Sequence, residues 1–473
     1  MRKAALFLAL TLLAAGCASA PGYRASAVQV PAEFRETRDT VVQAAVTRSP
    51  AAPITWPDLG DTTLTRLMNQ LTRANLDVQA AEARVRGARA ARSEVAFDLA
   101  PTVTFAGGYT RQRLSSATFP IEGSGVFPDQ DIWDGGFDAT WELDLFGRVR
   151  HNVQAQGAFV GVTQEDLRDV QVSLTAELAR AYFDLRGAQE QLAVATENAE
   201  NQRRTLGLTR ERLEAGRGTA FDTERAQAQL SFTLASIPTL EARVRQAQYQ
   251  IGVLVGRPPA AVAAELDRAA PLPDFPDIGE LLAPDSVIRR RPDVAAAERQ
   301  LAVQRALTGA AKADYLPRFG LGGSAGYAAS SFDALGDRGT FRYAVGPVVS
   351  WPALNLGRIK ARVDQSRARE VEAQAQYDAT VLRALQEVES SLVRYRTSRS
   401  RLAQISAAAA ASERAAELAR LRFTGGVADF LQVLDAERTQ LEAEDQLAQS
   451  RTDAATAYAA LYKALGGSWP ASK

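Results

Sequence analysis

The sequence predicts a mainly α-helical protein made of two similar halves, each with a β-hairpin between its helices. Three observations in the 473-residue chain predict this class: a long internal repeat, long proline-free segments with helical periodicity, and short segments in which apolar and polar residues alternate. The repeat is far longer than the roughly 20 to 50 residues of a solenoid unit. It therefore indicates a duplicated half-protein.

The repeat has two offsets. Asp77 returns at Asp293, an offset of 216 residues, whereas Trp141 returns at Trp351, an offset of 210. The later pairs keep the offset of 210: Gly147 and Gly357, Glu177 and Glu387, Ala226 and Ala436, Gly256 and Gly466. The change lies within the first hairpin, so we expect a longer loop there, around Phe119 to Asp134.

The N-terminus has the three parts of a secretory signal, which we place at residues 1–16: a basic start, an apolar run too short to span a membrane, and small residues. The stretch Leu13-Ala14-Ala15-Gly16-Cys17 resembles a bacterial lipobox, in which the cysteine is lipidated and becomes the new N-terminus. Cleavage after Ala18-Ser19-Ala20 would instead remove that cysteine. We expect Cys17 to be a lipid anchor, although one acyl chain gives only marginal membrane affinity by itself.

The first half is predicted to contain an arm and three helices. Residues 17–60 lack periodicity and contain five prolines, which predicts an extended, lipid-anchored arm. Asp61 is a polar cap before an apolar period and predicts a helix that continues to about Leu99. From about 148 to 214, apolar residues alternate at spacings of three and four, as in a coiled-coil seam, and such a helix is roughly 100 Å long. A return helix from 221 to about 255 is expected to be interrupted by Pro238.

The second half is predicted to repeat this plan after a proline-rich connector at residues 258–284. We place the first repeat at 61–257 and the second at 285–473. The expected elements of the second repeat are a helix from about 293 to 314, a long helix from about 358 to 423, a break at Gly425-Gly426 and a return helix to Leu465.

Alternating segments predict the two β-hairpins, at about 101–147 and about 317–357. In Phe137–Leu145 every odd-numbered residue is apolar and every even-numbered one is polar, which puts one face of a strand in an apolar medium. In the second hairpin we expect Phe319, Leu321, Ala325 and Tyr327 to pair with Phe341, Tyr343, Val345, Val349 and Trp351.

Each alternating run has about the nine to eleven residues that a tilted strand needs to cross a bilayer. Four strands cannot close a barrel, and open edges in lipid leave backbone groups unsatisfied. We therefore expect an oligomer in which each chain contributes four strands.

The composition leaves little chemistry for catalysis or metal binding. The chain has 55 acidic and 55 basic residues, one histidine and one cysteine. A metal site needs several converging ligands, and nucleophilic catalysis needs a base held by a third group, so we predict no catalytic residue, no metal and no cofactor. We expect His151 to be exposed or interfacial. The balanced charge gives no support for a nucleic-acid partner.

Four motifs, in order and partly in duplicate, give most of the mature chain a resemblance to a known family. They are Trp141-Glu142-Leu143-Asp144-Leu145-Phe146-Gly147-Arg148; Arg290-Arg291-Pro292-Asp293-Val294; Gly346-Pro347 leading to Ser350-Trp351-Pro352 and Gly357-Arg358; and Ala384-Leu385-Gln386-Glu387-Val388-Glu389. The chain resembles the TolC-type outer-membrane efflux channels, specifically their lipoprotein branch of OprM or NodT type.

This resemblance implies a homotrimer that forms a twelve-stranded β-barrel in the outer membrane, continuous with a long α-helical barrel in the periplasm. It implies the exit duct of a tripartite efflux pump, through which small molecules leave passively. The partners implied are outer-membrane lipid, a periplasmic adaptor and an inner-membrane transporter.

The same resemblance implies a gate at the periplasmic end, where inward-bent helix pairs close the tube. The matching positions are Phe423 before the glycine turn and Asp435 in the return helix, with Leu431 one turn from Asp435. Three copies of Asp435 near a three-fold axis would form a ring that makes the constriction cation-selective. Asp435 aligns with Arg225, so the two helix pairs are not expected to close the tube equally. The turn glycines that we expect to need positive φ and to contact the adaptor are Gly216, Gly218, Gly425 and Gly426.

Other interpretations stay open from the sequence. A duct for type I protein secretion shares this fold. A lipid-tethered periplasmic coiled-coil protein would explain the helices, and four half-buried strands of a soluble sheet would explain the alternation. Asp435 is then an ordinary solvated or salt-bridged helix residue.

Overall fold

The computed structural model describes residues 28–37, 56–115, 127–275 and 283–467. The predicted signal segment 1–16, the predicted anchor Cys17 and loop residues 116–126 lie outside the described residues. The chain forms two compact units. The sheet unit contains Arg84–Gln164 and Ala296–Asp378, and the helical unit contains Val28–Ala83, Glu165–Ala295 and the residues from Ala379 onward.

The two halves contain the same series of elements. The first half consists of α1 (Thr62–Ala74), α2 (Leu76–Ala96), β1 (Thr102–Gln112), β2 (Gln130–Leu143), α3 (Arg148–Glu214) and α4 (Ala220–Leu254). After α5 (Pro259–Leu266), the second half consists of α6 (Pro284–Arg290), α7 (Pro292–Ala313), β3 (Arg318–Ala329), β4 (Phe341–Ser350), α8 (Leu356–Thr424) and α9 (Phe430–Ala464). The predicted class, mainly α with duplicated helix–hairpin–helix halves, is confirmed. Across the described residues, every helix is too short or too polar to cross a membrane.

The helix predicted from Asp61 to Leu99 is in fact two helices. Asp61 caps α1 as expected, since its Oδ1 accepts from the backbone N–H groups of Thr63 and Leu64 at 2.8 and 2.9 Å. Asn75 then takes an extended conformation (ψ 132°) and ends α1. Its side-chain oxygen accepts from the N–H of Asp77 at 2.8 Å and so caps α2. Arg291, which is extended before Pro292, makes the equivalent break in the second half.

Two expectations about irregular backbone are wrong. Helix α4 continues through Pro238 without interruption, because one proline removes a single backbone hydrogen bond while its neighbours Leu234 and Ile237 pack against an apolar cluster. The connector is also partly helical. Helix α5 begins with Pro259 in its first turn, where a proline costs nothing, and it buries Val262 and Leu266 in the core of the helical unit.

The four strands form one antiparallel sheet in the order β1-β2-β3-β4. The two hairpins meet along β2 and β3, where Gly136 pairs with Gly326. A Cβ on Gly326 would lie 2.5 Å from the carbonyl oxygen of Gly135, so only glycine allows the strands to meet this closely. Strand β2 already begins at Gln130, and the loop predicted up to Asp134 is therefore too long at its C-terminal end.

Two tryptophans close the hairpins in the same way in both halves. The indole Nε1 of Trp141 donates to the carbonyl of Leu99 at 2.9 Å, and that of Trp351 donates to the carbonyl of Tyr315 at 3.1 Å. Trp351 lies just beyond the end of β4. The expected pairing of Trp351 with a residue of β3 is therefore wrong. The register sets Phe319 opposite Val349; the other predicted residues of β3 lie opposite Pro347, Tyr343 and Phe341, and Val345 lies opposite Gly323.

Aromatic side chains fill the core of the helical unit. Trp56, at the end of the described arm, contacts Phe183, Tyr458 and Tyr462, with ring centroids 4.5 to 6.4 Å apart. Helices α3 and α9 cross where a Cβ on Gly187 would overlap the side chain of Thr452. This close approach requires glycine on α3.

Candidate functional site

The turns that join α3 to α4 and α8 to α9 have the same backbone. In the first turn, Gly216 N–H donates to the carbonyl of Leu213 at 3.0 Å and Arg217 N–H donates to that of Arg212 at 2.8 Å. This pair of bonds is a Schellman motif, in which one left-handed residue ends a helix. The second turn repeats both bonds, from Gly426 to Phe423 at 3.0 Å and from Val427 to Arg422 at 2.9 Å.

Only two of the four turn glycines have the positive φ that was predicted. Gly216 has φ 68° and Gly426 has φ 76°; they are equivalent in the repeat. Gly218 and Gly425 do not have positive φ, because the Schellman motif needs one left-handed position. Their repeat counterparts are alanines, Ala428 and Ala215.

Phe423 is packed inside the helical unit, with 6% of its surface exposed. Its ring lies 5.7 Å from that of Phe430. The guanidinium of Arg212 lies 3.9 Å from the centre of the Phe423 ring, and Nη2 donates to the Phe423 carbonyl at 2.8 Å. The apolar turn cluster around it contains Ala199, Leu206, Ala226, Leu230, Phe423, Phe430, Val433 and Leu434.

The other two predicted gate residues lie on the exposed side of α9. Leu431 is exposed, and the Asp435 side chain is 72% exposed with an ion pair of 3.0 Å to Arg438. The equivalent positions on α4 hold Phe221, which is also exposed, and Arg225, whose guanidinium lies 5.4 Å from the Phe221 ring. The same helix face therefore carries an acid in one half and a base in the other.

A buried carboxylate behind the turn cluster was missed from the sequence. Glu437 is 3% exposed, and its Oε1 accepts from Arg420 at 2.8 Å and from Thr205 at 3.0 Å. Its Oε2 has no hydrogen-bond partner among the described residues. The spacing was available as a signal, because Glu437 continues the helical series of Phe430, Val433 and Leu434 on the buried face of α9.

Two of the motifs behind the family resemblance contact each other. Arg291, whose side chain is 7% exposed, pairs with Asp293 at 2.9 Å and with Glu387 at 2.6 Å. Its Nη1 donates to the carbonyl of Ala464 at the end of α9, at 2.8 Å. In the first half, the side-chain nitrogen of Asn75 donates to the equivalent carbonyl of Leu254, also at 2.8 Å. Each half thus clamps the end of its return helix, one with a charge and one with an amide.

Charge around the Arg291 clamp affects a neighbouring acid. Burial raises the pKa of Asp169 on α3, and the negative charge of Asp293 adds to this, while Lys463 and Arg291 oppose it. For Arg291, burial acts against the charged form, but the bonds to Asp293 and Glu387 outweigh burial and raise its pKa.

Glu389, also in one of these motifs, holds the arm. Its carboxylate accepts from the backbone N–H groups of Arg35 at 2.8 Å and Glu36 at 3.3 Å. Glu36 in turn pairs with Arg396 at 2.7 Å. Next to these bonds Phe34 is buried in the core, so the arm is attached by both polar and apolar contacts.

The described part of the chain holds no group of three or more His, Cys, Asp or Glu side chains placed to bind a metal ion. His151 is half-buried, and its Nδ1 lies 3.1 Å from Oε1 of Gln154.

The duplicated fold and the contacts between the motifs agree with the resemblance drawn from the sequence, and comparison with known proteins identifies the class. Residues 67–257 and 283–467 match the outer membrane efflux protein family. The chain belongs to this family, and the predicted TolC-type resemblance is confirmed.

Relatives match over nearly the whole chain. The outer membrane protein OprJ of Pseudomonas aeruginosa is 30% identical over 482 residues, covering 98% of this chain and 95% of that protein. Nodulation protein T of Rhizobium leguminosarum bv. trifolii is 26% identical over 469 residues, covering 97% and 96%. The solved structure of the outer-membrane channel OprN has 36% identity and a TM-score of 0.87, covering 96% of this chain and 100% of that one. The protein is an efflux protein of the outer membrane with the fold of these channels.

Proposed function

We propose that three copies of this chain form the exit duct of a tripartite efflux pump. The observation that carries the proposal is the open sheet. Among the described strands, β1 and β4 each have one edge without a strand partner, and both strands expose large apolar side chains such as Phe105 and Tyr343. Unpaired edges are unsatisfied in lipid, whereas three four-stranded sheets joined edge to edge close a barrel of twelve strands.

Transport through this duct is passive, and the protein is not an enzyme. The duct passes small molecules, and its partners are a periplasmic adaptor and an inner-membrane transporter that supplies energy. The names of relatives support this class of cargo: one is a toluene efflux pump outer membrane protein, TtgI of Pseudomonas putida, and another is a pyoverdine export outer membrane protein, OpmQ of Pseudomonas aeruginosa.

The gate is formed by the exposed face of α9. Leu431 and Asp435 line the constriction, and Phe423 holds the turn in place from inside the apolar turn cluster. The two turns, with Gly216, Gly218, Gly425 and Gly426, contact the adaptor. Both turns have the same pair of backbone hydrogen bonds, which supports this role. An adaptor that binds one turn meets the same backbone in the other.

Besides the strands of the barrel, lipid on Cys17 attaches the chain to the outer membrane, after removal of residues 1–16. The docking of Phe34 and Glu36 onto the helical unit supports this arrangement. These contacts attach residues 34–36 of the proposed arm (17–60) to the second of the two proposed repeats (61–257 and 285–473, joined by the connector 258–284), through Glu389 and Arg396.

Mass and conductance test the proposal together. The protein purified in detergent is expected to have the mass of three chains and to conduct ions in planar bilayers. A monomer that never conducts would contradict both the duct and the trimer. Mass spectrometry of the N-terminal peptide tests the anchor separately: an unmodified N-terminus beyond Ala20 would show that Cys17 is removed.

A further inference from the structure

Within one chain, Arg212 joins the two turns. Arg212, in the last turn of α3, donates to the carbonyl of Phe423 near the end of α8 and covers the Phe423 ring. A helix C-terminus carries partial negative charge on its last carbonyls, so a guanidinium is favoured there. This contact connects the end of the first long helix to the end of the second.

The repeat supplies the same two groups a second time, as Arg422 and Leu213. Arg422 lies 210 residues after Arg212, and Phe423 lies 210 residues after Leu213. The carbonyl of Leu213 accepts from the turn glycine at 3.0 Å, as the carbonyl of Phe423 does. Because both turns have the same backbone bonds, Arg422 and Leu213 are in position to repeat the contact.

Neither group uses this capacity within the chain. Arg422 is exposed, and its side chain makes no hydrogen bond or ion pair with the described residues. Leu213 is 37% exposed, whereas Phe423, covered by Arg212, is 6% exposed. An exposed donor and the carbonyl of a partly exposed residue therefore stay unmatched within the described chain.

We propose that Arg422 of one chain donates to the Leu213 carbonyl of the next chain and covers the Leu213 side chain. Contacts between an arginine and a helix-end carbonyl then alternate within and between chains around the ring. The partner is a second copy of this chain, and the inference rests on the trimer proposed above. A head-to-tail contact of this kind closes into a ring when its rotation allows. Inside a chain the contact runs from the first half to the second half. Between chains the equivalent contact runs from the second half to the first half of the neighbour, so the two kinds of contact alternate.

The two contacts differ in one respect. Leucine in place of phenylalanine removes the attraction between the guanidinium and an aromatic face. The contact between chains is therefore weaker than the one inside each chain, and the tip opens between chains first.

Cross-linking of engineered cysteines tests this pairing. The variant Arg422→Cys with Glu214→Cys probes the contact between chains, and Arg212→Cys with Thr424→Cys probes the equivalent contact within a chain. Glu214 and Thr424 are equivalent in the repeat, exposed, and adjacent to Leu213 and Phe423, so neither variant removes a core side chain. A short bis-maleimide is expected to join the first pair into covalent dimers and trimers, and the second pair within monomers. The parent chain and the single-cysteine variants control for other links.

The mass in detergent separates the two proposals. Suppose that the protein is trimeric and the Arg212/Thr424 cysteine pair links as expected, while the Arg422/Glu214 pair gives no product between chains. In that case the proposed Arg422 contact is wrong, but the proposed duct stands. If the first pair links inside one chain, the contact is also wrong. If the protein is monomeric, the proposed function fails and the contact fails with it.

Discussion

The two turns at the ends of the long helices share a backbone and differ in almost every side chain around it. The second turn encloses Phe423 in an apolar cluster and keeps Glu437 buried behind it. The first turn has Leu213 and Gln227 at these positions, and Leu213 is partly exposed. The bonds from Arg420 to Glu437 at 2.8 Å and from Arg210 to Gln227 at 3.0 Å are nevertheless equivalent. Duplication has thus preserved the hydrogen-bonded frame, while the packing and charge of the two tips have diverged.

The largest difference between the turns is expected at Phe423. Phe423→Ala should lower the free energy of unfolding by about 3–5 kcal/mol, because it leaves a cavity in a packed cluster. Leu213→Ala should cost less than about 1 kcal/mol, since that residue has no such cluster in its own chain. Urea unfolding followed by the helical circular dichroism signal measures both. Equal losses would mean that the two turns are packed alike.

The next largest difference in stability is expected between the two helix-end clamps, formed by Arg291 and Asn75. Arg291→Ala leaves Asp293 and Glu387 without their cation and should cost about 3 kcal/mol; both acids are partly exposed, which keeps the loss at the low end. Asn75→Ala removes a helix cap and one hydrogen bond and should cost about 1–2 kcal/mol. The same unfolding measurement applies, and an Asn75 variant as unstable as the Arg291 variant would contradict the ranking.

Exchange of the buried acid sharpens the comparison further. Glu437→Gln makes the second half resemble the first and should cost about 1–2 kcal/mol, because it weakens a charge-assisted bond to Arg420 and buries an amide donor without a partner. The reverse change, Gln227→Glu, is the control on the first half. A Glu437→Gln variant more stable than the parent would show that the unpartnered Oε2 outweighs the ion pair.

A pH effect is expected from Asp169, whose repeat counterpart is Ala379. Its folded-state pKa is raised, so its contribution to stability is present below its unfolded-state pKa and is lost as pH rises through the folded-state value. Asp169→Asn should therefore raise the unfolding midpoint at pH 7 and flatten its dependence on pH in the acidic range. Glu197→Gln, an exposed position on the same helix, is the matched control and should leave the profile unchanged.

The smallest effect on stability is expected at Asp435, where the side chain is mostly exposed. Asp435→Asn should change the free energy of unfolding by less than about 0.5 kcal/mol and should lower cation selectivity, because it removes a ring of negative charge. Reversal potentials in asymmetric salt measure the selectivity. Arg225→Gln, at the equivalent position of the first half, should not lower it; a parallel loss would assign the selectivity elsewhere.

Much of the fold follows from local patterns. The seam spacing of α3 and the alternation in Phe137–Leu145 are short-range periodicities, which backbone geometry converts directly into helices and strands. The repeat extends the same plan to the second half. The breaks at Asn75 and Arg291 carried local signals as well, an N-cap residue and a residue before proline, yet alanine-rich periodicity on both sides concealed the first. The continuity of α4 through Pro238 had no such signal, since packing decides whether a proline ends a helix.

The sequence by itself determined the duplicated plan, the family and the residues of the turns, because these follow from order and spacing along the chain. Only the tertiary structure decided which residues at the turns are buried, that Arg291 meets Glu387 and that Arg212 reaches Phe423. The last two contacts join residues 96 and 211 positions apart, and their distances depend on how helices pack. No local pattern encodes that packing. The gate candidate Phe423 lies inside the apolar turn cluster, and the buried Glu437, which drew no attention in the sequence, bonds to Arg420 behind it.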